Sequence, residues 1–227
     1  MNPGESSENH RARERAEAAK IRAVILDYGE VLCHHPTAEE ISRIASVFQV
    51  RPEDFPELYM RNRGSYDRGD LTVEEYWMKF AEDAGTKIDS SRIQELSVWD
   101  VEMWSAANMK MMQWVKNLRA AGIKTAVLSN MPKEMARHAR KNFHWLNDFD
   151  CHVFSCEIGE IKPSPVIYRH CLGRLDVPTP EAIFIDDREA NVQGAREVGM
   201  HGIQFQSGEQ LANELEAMGF GVLPEFS

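Results

Sequence analysis

The chain has 227 residues, 43% of them hydrophobic, enough for one large domain or for a core that carries an insertion. Its 26 basic and 36 acidic residues leave a formal charge of −10, so no positive field invites nucleic acid or an anionic membrane, although a local pocket can still hold a small anion. The chain has no 18-residue apolar run, no secretory-type apolar segment near its start and no CxxC spacing among Cys33, Cys151, Cys156 and Cys171, which predicts a cytoplasmic protein with reduced cysteines, no membrane span and no zinc site.

Residues 1–19 are polar and read as a tail, with a frayed helix over 11–20 as the alternative. IRAVIL then reads as a strand ending at Asp27. Thr37 with Glu40, and Thr72 with Glu75, have the spacing of capping boxes. Each opens a run with apolar residues at helical intervals: Ile41, Ile44, Ala45 and Phe48 in the first, Val73, Trp77, Phe80 and Ala84 in the second. Ile93, Leu96 and Trp99 suggest a third helix. Between the two capped helices, YMRNRGSYDRGD reads either as an exposed turn or as a cluster in which Arg61, Arg63 and Arg68 meet a carboxylate or second phosphate.

Met111, Trp114, Val115 and Leu118 form the face of a helix that stops at Gly122. The strand KTAVLS, a helix after Pro132, the strands HVFS and AIFID, a helix stopping at Gly199 and the strand GIQF follow. Ser207 and Gln210 cap a last helix carrying Leu211, Leu215 and Met218. Near-continuous apolar strands alternating with helices predict a doubly wound, mainly parallel α/β sheet. Residues 36–107 are far too many for one crossover and are read as an inserted helical bundle, leaving 20–35 and 108–227 as the core.

In such a sheet, ligands bind beyond the carboxyl ends of the strands. Asp27, Ser129, Asn130, Asp186 and Asp187 stand at those ends, and Lys162 follows the third strand. Clustered carboxylates repel one another and call for a cation, and an oxygen-only donor set suits Mg²⁺. Asp27, Asp186 and Asp187 form that set, Ser129, Asn130 and Lys162 can donate to phosphoryl oxygens, and Asp27 is the natural nucleophile. Taken singly these residues have plainer readings: a turn aspartate, a surface lysine. Four of them at successive strand ends are harder to ascribe to coincidence.

Over residues 21–220 the chain resembles the haloacid dehalogenase superfamily, in the branch with a helical cap after the first strand. The stretches VILDYGEVL, VLSN, EIGEIKPSPVIY and FIDDREANVQGAREVGM carry the likeness. It implies a Rossmann-like core, a mobile cap and Mg²⁺-dependent hydrolysis of phosphate esters. By the same resemblance Asp27 is the nucleophile, Ser129 binds the phosphoryl group and Lys162 steadies charge. Asp186 and Asp187 hold the metal, Asp187 more directly, and Asn191 braces the acidic loop. The first motif departs from the family pattern: Gly29 occupies the place of the second aspartate, the usual general acid and base. Its carbonyl can still bind the metal, but its side chain shuttles no proton, a contribution typically worth about 10²–10⁴-fold in rate. Glu30 points away along an extended segment, and His34 or His35 is a loop candidate for the missing acid.

Three functions follow. The first is a Mg²⁺-dependent phosphatase for a small phosphorylated metabolite, such as a sugar phosphate. The second is a metal-free 2-haloacid dehalogenase, which needs no leaving-group acid but leaves Asp186 and Asp187 unexplained. The third is a catalytically weak binding or regulatory protein on the same fold.

Overall fold

A computed structural model describes residues 20–225, and the expected tail over 1–19 lies outside them. Five parallel strands form one sheet in the order β3-β2-β1-β4-β5. They are β1 (Ala23–Leu26), β2 (Lys124–Ser129), β3 (Cys151–Phe154), β4 (Ala182–Asp186) and β5 (His201–Gln204). All five match expected strands, with ends displaced by a residue or two at β1, β3 and β5.

Every residue of β1 is buried because helices cover both of its faces. Side chains alternate along a strand. Val24 and Leu26 join Trp114 and Leu118 of α6 (Met109–Ala120) and Leu211 and Leu215 of α11 (Gly208–Ala217). Ala23 and Ile25 join Ile167 and Tyr168 of α9 (Pro165–Leu175) and Ala195 of α10 (Glu189–Glu197). Completing the core, α7 (Lys133–Asn142) follows β2 with Pro132 as its N-cap, and the short α8 (Ser155–Ile158) follows β3.

Register decides what meets at the rim. Leu26 of β1 pairs with Ile185 of β4 on one side and with Val127 of β2 on the other. The next residues along, Asp27 and Asp186, therefore leave adjacent strands side by side, and the Asp27 amide still donates to the Ile185 carbonyl at 2.9 Å. This is also where the strand order switches direction, the place at which open α/β sheets form their ligand crevice.

The helices between β1 and α6 are α1 (Ala38–Val47), α2 (Phe55–Arg61), α3 (Arg63–Arg68), α4 (Val73–Asp83) and α5 (Ser90–Met103). Capping boxes at Thr37–Glu40 and Thr72–Glu75 start α1 and α4. The insertion has a core of its own, built around Ile44, Phe48, Trp77, Phe80 and Leu96. Its two connections to the sheet run side by side: the His34 amide donates to the Ala106 carbonyl at 2.8 Å and the Asn108 amide to the Leu32 carbonyl at 2.9 Å.

One segment departs from expectation. YMRNRGSYDRGD is no exposed turn, because α2 and α3 run through it and stop only at Gly69, whose φ of 86° suits glycine. Tyr59, Arg63 and Asp67 follow one another at intervals of four and all are buried. Two of the three are charged, so the helical period is present but does not show as hydrophobicity.

Two glycines separate packing from backbone effects. A Cβ on Gly194 of α10 would lie 2.7 Å from Pro163 Cβ and 2.9 Å from the Pro163 carbonyl oxygen, whereas one on Gly173 of α9 meets nothing within 4 Å. Gly194→Ala is expected to lose about 1–3 kcal/mol by overpacking the loop behind Lys162. Gly173→Ala is expected to gain about 0.5–1 kcal/mol from helix entropy. Urea denaturation of the two variants checks both signs.

Candidate active site

Asp27, Asp186 and Asp187 offer carboxylate oxygens that all lie within 4.8 Å of one another. Lys162 enters between two of them. Its Nζ is 2.7 Å from Asp27 Oδ1 and 2.6 Å from Asp186 Oδ2, and its side chain has no solvent exposure. Burial works against the Lys162 ammonium, but Asp186 and Asp27 outweigh it and its pKa is raised. Asp186 is saturated further: Asn191 Nδ2 donates to both its oxygens at 3.0 Å and the Arg188 amide to Oδ1 at 2.9 Å. Asn191 thus braces the acidic loop through its side chain.

Asp27 is pushed up to about 7, first by burial, with Lys162 pulling it down and Asp186 and Asp187 pushing it further up. Its Oδ1 takes the Tyr28 amide at 2.7 Å as well as Lys162. Asp187 is raised to about 6 by burial, Asp186 and Glu30. Three carboxylates against one ammonium leave an excess of two negative charges when all are ionised. Such a donor set could hold a divalent cation, and hard carboxylate oxygens suit Mg²⁺. Asp27 and Asp187 keep carboxylate oxygens open to it, whereas Asp186, already accepting at both oxygens, closes the cluster beside them.

Ser129, at the end of β2, lines the same pocket, and its hydroxyl makes no side-chain hydrogen bond among the described residues. Asn130 does different work. Its Oδ1 accepts the Lys162 amide at 2.8 Å and its Nδ2 donates to the Lys162 carbonyl at 3.1 Å, so its side chain holds the lysine loop while one Nδ2 proton remains for a ligand. Gly29 also lines the pocket, and its carbonyl already accepts the Val31 amide at 2.7 Å, which leaves one lone pair. A Cβ at Gly29 would stand 3.9 Å from Trp104, an ordinary contact, so there is room for a Cβ there.

The pocket lies between the sheet rim and the helical insertion and encloses about 90 Å³, small beside the roughly 300–1,000 Å³ of sites for drug-sized ligands. Tyr59, Met60, Arg63, Asp67 and Trp104 form its upper wall, and Met131 and Met135 its side. Of the arginines considered from sequence, Arg61 is turned away to Glu57 and Asp83, and Arg68 to Asp70. Arg63 lines the pocket but is tied to Asp67 at 2.8 Å and Asp100 at 3.2 Å, with Tyr59 as a third partner. His34 and His35 do not line it, and His35 pairs with Glu30 at 3.0 Å. The upper-wall residues Tyr59, Asp67 and Trp104 had no sequence motif to announce them. The four-residue spacing of Tyr59, Arg63 and Asp67 was the available signal.

A doubly wound sheet whose carboxyl rim gathers three aspartates around a buried lysine is the setting of a hydrolase site. The chain belongs to the haloacid dehalogenase-like hydrolases, whose family model matches residues 15–199. It is 30% identical over 220 residues to mouse (Mus musculus) acyl-CoA dehydrogenase family member 10, covering 87% of this chain and 19% of that protein. It is 23% identical over 205 residues to a ribulose-1,5-bisphosphate 5-phosphatase from Halopiger xanaduensis, covering 83% of this chain and 86% of that protein. The chain spans only 19 to 36% of the length of the first curated relatives it matches. Among solved structures, a haloacid dehalogenase family enzyme from Bacteroides thetaiotaomicron, determined with magnesium and inorganic phosphate, shares the fold with a TM-score of 0.66 at 21% identity, over 86% of this chain and 98% of that one. No helix among the described residues is long and apolar enough to cross a membrane.

Lys162 offers the sharpest test of this arrangement. Lys162→Met leaves Asp27 and Asp186 facing each other without their shared cation. A loss of about 3–5 kcal/mol in denaturant unfolding is expected, together with loss of activity.

Proposed function

We propose that the protein is a Mg²⁺-dependent phosphatase that hydrolyses a small phosphorylated metabolite through an aspartyl-phosphate on Asp27. The observation that carries this is the convergence of Asp27, Asp186 and Asp187 within 4.8 Å around a single buried ammonium. Asp27 Oδ2 makes no hydrogen bond among the described residues, unlike Oδ1, which supports its role as the attacking oxygen. Lys162 holds the Asp27 carboxylate in one orientation and offsets part of its charge. Ser129 donates to a phosphoryl oxygen. Bound Mg²⁺ supplies neutralisation of the anion-on-anion approach. Asn130 and Asn191 act one step back, fixing Lys162 and Asp186 respectively.

The helical insertion acts as the cap that closes the site and selects the ester. Ser155 Oγ donates to the Asp67 carbonyl at 2.6 Å and accepts the Met131 amide at 2.9 Å, tying insertion and rim together. The apolar and aromatic upper wall and the small pocket favour a compact substrate. Arg63 is already matched by two carboxylates and adds no free cation for a second phosphate. The metal-free dehalogenase reading is the weaker one: its substrate carboxylate would meet the same uncompensated acids.

A panel of phosphorylated metabolites, assayed with Mg²⁺ and with EDTA, tests the reading. Phosphate release that needs Mg²⁺ and disappears in Asp27→Asn is expected. Release that survives EDTA, or halide release from a 2-haloacid, would overturn it. A second readout is independent of turnover. Mg²⁺ is expected to raise Tm in the wild type and to do so far less in Asp187→Asn.

A further inference from the structure

We propose that Asp67, on helix α3 of the insertion, is the general acid that protonates the leaving group and the general base that activates the hydrolytic water, replacing the carboxylate that Gly29 lacks. The inference rests on the phosphatase reading above.

Position comes first. In phosphoryl transfer the attacking and leaving oxygens stand roughly in line through phosphorus. With Asp27 on the sheet rim, the leaving oxygen faces the opposite wall of the pocket, which the insertion supplies. The same place is where water must enter to attack the aspartyl-phosphate from behind.

Elimination along that wall leaves one candidate. Arg63 is held by Asp67 and Asp100 and its pKa is raised well above its usual value, so it keeps its proton. The Tyr59 hydroxyl is likewise raised well above the usual value, first by burial, and it donates to Asp100. Trp104 Nε1 donates to the Tyr59 hydroxyl at 3.1 Å. Met60 has no labile proton. On the rim, Lys162 is clamped between two aspartates, and Glu30, although it lines the pocket, is exposed and paired with His35.

Asp67 differs from all of these. It is 6% exposed and lines the pocket. Its Oδ1 accepts Arg63 Nε at 2.8 Å, while Oδ2 holds no hydrogen bond among the described residues. The groups facing it are Arg63 on its own helix, Tyr76 on α4, Asp100 on α5, Cys156 on α8 and Arg188 at the rim. Burial raises its carboxyl to about 6; Asp100 adds to the rise, and Arg63 and Arg188 oppose it. A group poised there exchanges its proton readily near neutrality, as acid–base catalysis needs.

The proton balance closes over the two half-reactions. In the first, Asp27 Oδ2 forms a bond to phosphorus, the bond from phosphorus to the ester oxygen breaks, and that oxygen takes the Asp67 proton. In the second, water attacks phosphorus and gives its proton to the Asp67 carboxylate. The Asp27–phosphorus bond then breaks, and both aspartates return to their starting state.

The experiment compares kcat/KM, which reports the first half-reaction, on two esters with Mg²⁺ present. Ethyl phosphate has a leaving group that needs a proton, and p-nitrophenyl phosphate has one that does not. Asp67→Asn is expected to lose about 10²–10⁴-fold on ethyl phosphate and far less on p-nitrophenyl phosphate. Equal losses on both esters, or none on ethyl phosphate, would overturn the role of Asp67 while leaving the phosphatase reading intact. A wild-type protein inactive on every ester with Mg²⁺ would overturn both. Should the variant fail to fold, the wild type decides on its own across a series of alkyl and aryl phosphates. A shallow fall of log kcat/KM with leaving-group pKa supports a proton donor, and a steep fall contradicts one.

Discussion

The site depends on one ammonium. Lys162 Nζ sits between Asp27 and Asp186 with no access to solvent, and without it two buried carboxylates on neighbouring strands would face each other unshielded. Taking three charges out of water is unfavourable, and such clusters persist only when hydrogen bonds complete them. Here they do. Asn191 and the Arg188 amide complete Asp186, the Tyr28 amide completes Asp27, and Asn130 holds the lysine backbone from both sides. Parallel register makes the arrangement possible by setting Asp27 and Asp186 one step beyond a paired Leu26 and Ile185. The motifs lie far apart in the chain, and strand register brings them together.

The insertion repeats the same design. Arg63 is one cation between two acids, Asp67 and Asp100, and its guanidinium lies 4.7 Å from the centre of the Tyr59 ring. Both clusters meet the pocket and each carries an excess of acid. Between them the phosphoryl group would be bound below by the rim and its ester oxygen met above by the insertion. The Ser155 hydroxyl, wholly buried, bonds to both layers, so the insertion is seated against the loop that follows Ser129.

Much of the fold was legible because its signals are local. Strands such as AIFID announce themselves by continuous apolar character, and the boxes at Thr37, Thr72 and Ser207 need only four residues each. The rim residues were legible through their place at successive strand ends. Two things were not. The hold of Asn130 on the Lys162 loop did not show, because that loop is distant in sequence. Helices α2 and α3 read as a turn because Arg63 and Asp67 fill core positions with charge, and Asp100, which makes that tolerable, lies more than thirty residues away. A periodicity count blind to polarity would have recovered them.

Gly29 offers no carboxylate at the rim, although a Cβ there would meet only Trp104, at an ordinary distance. A site that has its acid on the insertion couples chemistry to closure: the proton is in place only when the insertion is. The proposed hydrolysis turns on covalent chemistry at Asp27. The most direct measurement is rapid acid quenching during turnover, followed by mass spectrometry of the peptides. A phosphoryl adduct on Asp27 that forms and decays at the turnover rate is the expected result. Turnover with no adduct at Asp27, or with the adduct on another residue, would contradict it.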